Sequence, residues 1–131
     1  MLTYYAAPTP TGNQDGSTPS DCGSLANAIT YVRANAGADS ITIYLRGGTY
    51  TFSETWVLTG ADAGTATNPV FWAAYQTEVP IFSGGQTVTG WELHSGSIWK
   101  ATVPFESRGL FVDDERRYRA RINTIGQEWY K

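Results

Sequence analysis

Between Asp39 and Tyr50 the chain reads Asp-Ser-Ile-Thr-Ile-Tyr-Leu-Arg-Gly-Gly-Thr-Tyr, and no other stretch limits the fold as much. Ile41, Ile43 and Leu45 alternate with Thr42, Tyr44 and Arg46, the period of two that a half-buried strand requires. Gly47-Gly48 breaks the run, and Thr49 to Phe52 resume an extended pattern at a new angle.

The one convincing helix precedes this strand. Leu25, Ala28, Ile29 and Val32 fall at i, i+3, i+4 and i+7, a single apolar stripe, with Asn27, Thr30, Arg33 and Asn35 opposite. Ser24 is placed to cap its start and Gly37 to end it in the left-handed conformation. Strand-like runs dominate elsewhere: Thr3–Ala6, Thr55–Leu58, Val70–Tyr75, Pro80–Ser83, Thr87–Leu93, Ile98–Val103, Leu110–Val112 and Arg117–Ile122. Val70–Tyr75 is apolar almost throughout, the pattern of a strand buried on both faces. Trp56 and Trp72 lie in apolar runs and are expected in the core. The pattern predicts an all-β chain with one capping α-helix. Residues 1–38 hold the first strand, a turn-rich loop and the helix. Residues 39–85 form the first coils of a solenoid, and 86–131 an antiparallel β-meander turning at Asp113-Asp114.

Composition narrows function by exclusion. A formal charge of −3 over 131 residues offers no general attraction to nucleic acid or anionic membranes. No apolar run reaches the ~18 residues of a membrane span, and no signal peptide is visible. Cys22 is the only cysteine, so neither an intrachain disulfide nor a cysteine-rich metal site forms. Asn13, Asp15 and Asp21 could ligate calcium in the loop before the helix, but EF-hand spacing is absent and Asx-turns account for them as well.

The order of these segments resembles a known family. Tyr4-Tyr5, the helix, the Asp39–Tyr50 stretch, Asn68-Pro69-Val70, Pro80 to Gly85 and Gly90-Trp91 follow one another as at the N-terminal end of right-handed parallel β-helix proteins acting on polysaccharides, the pectate-lyase-like superfamily. Ile98 to Ala101 and Leu110 to Arg121 look like the β-rich insertion near the start of several β-helix glycoside hydrolases, with Asp113-Asp114 where that family has Asn-Gly. The resemblance implies a polysaccharide or oligosaccharide partner and an extracellular or periplasmic location. It also implies catalytic carboxylates on later coils. The chain is therefore expected to be the N-terminal part or a truncated relative of such an enzyme, structural or sugar-contacting in itself, with its open end available for self-association. The alternatives are a complete small glycoside hydrolase or lyase, and an assembly element without sugar activity.

A hydrolase needs two carboxyl groups flanking the scissile bond, and Asp113, Asp114 and Glu115 are the conspicuous acidic group. Their plainer reading is a solvated turn. Arg117, Arg119 and Arg121 alternate, so one strand face would carry all three guanidinium groups, suited to uronate carboxylates or to neighbouring acids. Trp91 and Trp99 sit among polar neighbours, where a flat ring can meet a sugar face, or pack locally. His94, the sole histidine, has no Gly-x-Ser-x-Gly elbow to serve and reads as an exposed loop residue.

Overall fold

The computed structural model describes residues 1–106, 109–113 and 115–118. They are mostly β, with one α-helix and several small sheets. Two compact units divide the chain, Met1–Gln86 and Thr87–Lys131.

In the first unit the alternating stretch forms β2 (Ile41–Leu45), the middle of a parallel sheet between β1 (Leu2–Ala6) and β4 (Val70–Ala74). Leu2, Ile41 and Val70 stand in one register row, Tyr4, Ile43 and Trp72 in another. After the Arg46–Gly47 turn, β3 (Gly48–Thr51) pairs in parallel with β5 (Pro80–Ser83), so the succession β2–β3 repeats as β4–β5 and stacks on it in register. The helix α1 (Leu25–Asn35) begins as its sequence dictates: Ser24 Oγ accepts the Asn27 N–H at 3.0 Å. At its end Gly37 takes φ +86°, a conformation that costs a glycine nothing.

The core lies between α1 and the inward face of β1 and β2. Ala28 and Val32 of the helix meet Tyr4, Ala6, Ile41, Ile43 and Leu45, with Tyr50 of β3 beside them. Burying each large apolar side chain contributes about 1.5–3 kcal/mol, so this row is the main source of stability. Beyond β1, the loop before α1 folds back on the strand edge: Tyr5 N–H donates to the Gly16 carbonyl and Ala7 N–H to Gly23. That edge is thereby satisfied. Burial then falls along the stack, from Tyr50 at 4% exposed to its register partner Phe82 at 46%.

Three expectations are corrected. Val70–Ala74 is not buried on both faces: among the described residues no element covers the outward side, and Phe71 is 55% exposed. An apolar run alone does not supply a second layer. Thr55–Leu58 joins no ladder; Trp56 instead stacks on Phe52 and packs edge-on to Trp72, with ring centroids 5.7 and 5.5 Å apart. Both Trp56 and Trp72 are half-buried rather than central.

The second unit contains two antiparallel pairs rather than one continuous meander among the described residues. β6 (Glu92–Ser95) pairs with β7 (Ile98–Lys100), with a bulge at Leu93/Ser95. β8 (Leu110–Val112) pairs with β9 (Glu115–Arg117). β6 starts later than alternation suggests: the backbone before it is irregular, with Gly90 at φ +72° and the Trp91 indole N–H bound to the Val88 carbonyl at 3.0 Å.

The uneven core makes a testable statement. Ile43→Ala should cost about 2–5 kcal/mol of unfolding free energy. Phe71→Ala, on the uncovered face, should change it by no more than about 0.5 kcal/mol. Urea titrations read by far-UV circular dichroism compare the two directly.

Candidate functional site

Among the described residues, those singled out from sequence are not gathered into one site. Asp113 occupies the β8–β9 turn at φ +54°, and Glu115 opens β9, where its carboxylate pairs with Arg117 Nη1 at 3.0 Å on an exposed face. Asp114, Arg119 and Arg121 lie outside the described residues. Trp91 and Trp99 are 49% and 60% exposed. Trp99 stands opposite Leu93 across β6–β7, on the face away from the Glu92–Lys100 ion pair. His94 is exposed as expected, but within β6 rather than in a loop.

The acids of the loop before α1 are engaged by that loop itself. Asp21 accepts the Asn13 N–H at 2.9 Å and the Thr18 hydroxyl at 2.7 Å, and Asp15 accepts the Ser17 N–H at 2.9 Å. The Ser17 hydroxyl and N–H at Asp15, and the Asn13 N–H and Thr18 hydroxyl at Asp21, favour the ionised forms and lower both carboxyl pKa values. Among the described residues no group of three or more His, Cys, Asp or Glu could hold a metal ion.

What sequence reasoning missed centres on Arg46. Its position after β2 suggests only an outward side chain. In the structure its Nε lies 2.9 Å from both oxygens of Glu78, while Nη1 donates to the Pro19 carbonyl and lies 4.0 Å from Cys22 Sγ. The guanidinium carbon sits 5.2 Å from the Tyr75 ring centroid, in cation–π range. Tyr75 in turn meets Tyr5 and Tyr44 edge-on, and those two rings, register partners on β1 and β2, stack at 5.5 Å. One cation thus ties together the turn after β4, the loop before α1 and the aromatic outer face of the sheet.

Gly47 and Gly48 make this approach possible. The Gly47 N–H donates to Glu78 Oε2 at 2.6 Å, and a Cβ on Gly47 would stand 3.2 Å from the Glu78 Cβ. Gly48, at φ +119°, would meet Pro8 at 3.1 Å. The Arg46 and Gly47 donors hold the Glu78 carboxyl below its usual range, and Glu78 raises the arginine pKa in return. Beneath, the Tyr50 hydroxyl shares its proton between the Ala6 and Arg46 carbonyls, each 2.9 Å away, and burial pushes its pKa up to about 12. Arg46, Glu78, Gly47, Gly48, Pro8 and Thr49 line an open groove of about 500 Å³.

A second arginine contact was also missed. Arg33, assigned by periodicity to a solvated face, binds Asp62 through Nε–Oδ1 at 2.6 Å and Nη2–Oδ2 at 3.1 Å. The Thr59 N–H and hydroxyl add donors to Oδ2 at 2.7 and 3.0 Å. Arg33 and these donors hold the buried Asp62 carboxyl far below the usual carboxylate range. The Thr59-x-x-Asp62 spacing, a capping-box signature, was the legible signal.

No protein-family model matches the sequence, and no curated protein matches it. Among solved structures it is similar to a chain described as a glycoside hydrolase, with a TM-score of 0.76 and 28% identity. The match covers 92% of this chain and 22% of that one, so the chain spans about a fifth of the length of the structure it resembles. The likeness is thus to a carbohydrate-active protein.

Acid should reveal the Arg33–Asp62 contact. Its depressed folded-state pKa means that Asp62 adds stability in full above the unfolded value of about 4, and that this is lost as pH falls through the folded value. The wild type should lose urea resistance from about pH 4 downward. Asp62→Asn should start less stable and lose less over the same window; parallel curves would show that Asp62 is not the group responsible.

Proposed function

We propose that this chain is the helix-capped start of a right-handed parallel β-helix in a polysaccharide-processing protein, contributing scaffold and sugar contacts rather than the bond-breaking carboxylates. The observation that carries this reading is the likeness to a glycoside hydrolase over nearly the whole chain. Two features support it. β2–β3 and β4–β5 repeat one succession in parallel register, as successive coils do. Of the acids expected to form a pair, Glu115 is bound to Arg117 in the open. Hydrolysis needs two carboxyl groups about 5–9.5 Å apart across a sugar, and the ion pair with Arg117 does not favour Glu115 for that role. An extracellular or periplasmic location accords with such a protein.

The edges of β4 and β5, unpaired among the described residues and with Phe71, Ile81 and Phe82 exposed along them, support self-association through this end of the stack. Sedimentation velocity over a dilution series should show oligomers dissociating. A monomer at every concentration would overturn that part of the reading.

Incubation with neutral and acidic polysaccharides, read by reducing ends and by unsaturated-uronate absorbance, tests the rest. Saturable binding without cleavage is expected. Turnover abolished by Asp113→Ala or Glu115→Ala would instead make the chain a complete small enzyme.

A further inference from the structure

The groove beside Arg46 has a chemistry of its own. Resting on the carbohydrate reading above, we propose that it binds a neutral oligosaccharide, with Arg46 and Glu78 contacting the sugar hydroxyls, and that it discriminates against polyuronates.

Its volume of about 500 Å³ lies within the ~300–1,000 Å³ of small-molecule sites. Arg46 and Glu78 are 32% and 31% exposed at the side chain, so each is held by the fold while still reaching solvent. A sugar hydroxyl both donates and accepts, and this pair offers both functions side by side. Arg46 Nη2 has no partner among the described residues, and Glu78 Oε1 accepts only the Arg46 Nε–H, leaving lone-pair capacity. The Thr49 hydroxyl on the wall is likewise unused among the described residues.

Charge decides the ligand class. The arginine is already neutralised by Glu78, whose two carboxylate oxygens share the Arg46 Nε–H, and its orientation is set by the Pro19 carbonyl and the Tyr75 ring. A uronate carboxylate would have to displace Glu78 or sit against it, since like charges in one site repel. A neutral hydroxyl meets a pair that is already oriented and needs no rearrangement.

Titration of the ¹⁵N-labelled full chain with a cello-oligosaccharide, a xylo-oligosaccharide and an oligogalacturonate tests this. A neutral ligand should shift the amides of Gly47, Gly48 and Thr49, and the oligogalacturonate should not. Glu78→Gln should lose about tenfold in neutral affinity, the order of one hydrogen bond to a charged group. It should also gain oligogalacturonate binding that fades with added salt, because Arg46 is then uncompensated. That gain cannot arise from misfolding. Should Glu78→Gln fail to fold, Thr49→Val, at a hydroxyl the fold does not use, should weaken neutral binding alone. Shifts confined to β6–β7 and lost in Trp99→Ala would overturn the groove while leaving the carbohydrate reading intact, as would wild-type binding of oligogalacturonate alone. Absence of any sugar response would overturn both.

Discussion

Parallel pairing in register is the constraint on which the first unit depends. A residue on β2 must find its counterpart on β1 and on β4 at the same height, and Tyr4, Ile43 and Trp72 do so. A slip of one residue would turn Ile41, Ile43 and Leu45 outward and Thr42 and Tyr44 inward. The helix enforces the choice. Ala28 and Val32 offer an apolar stripe only to the row that carries the isoleucines. The register thus rests on desolvation, and hydrogen bonds along the strands follow from it.

Connections between the rungs depend on polar contacts. Arg46–Glu78 fixes the turn between β4 and β5 against the turn after β2, and Arg33–Asp62 fixes the long segment between β3 and β4 against the helix. Each ties a loop to an element far away in sequence, and each adds backbone N–H donors to its carboxylate. A carboxylate so surrounded is specific in geometry as well as strong, which a surface ion pair seldom is.

Local pattern made some parts readable and left others hidden. The helix, its Ser24 cap and β2 were legible because periodicity and capping are encoded within a few residues. The early β-rich order was legible too. The partners of Arg46 were not, because nothing near Arg46 or Glu78 marks two residues that meet only once the coils have stacked. The aromatic cluster was hidden for the same reason, since Tyr5, Tyr44 and Tyr75 belong to three separate segments. Val70–Ala74 misled in the opposite direction. Its apolar run reads as two buried faces, yet the row beside it supplies only one. Exposed acids near Asp113 drew attention by their composition, whereas the groove owes its character to two glycines and a compensated charge.

The decline in burial from Tyr50 to Phe82 has a mechanical meaning. A stack closed by α1 and the folded-back loop at one end, and loosely packed at the other, opens from the loose end first. The β5 rung can fray and re-form while β1 and β2 stay shut, so the order of assembly is written into the packing.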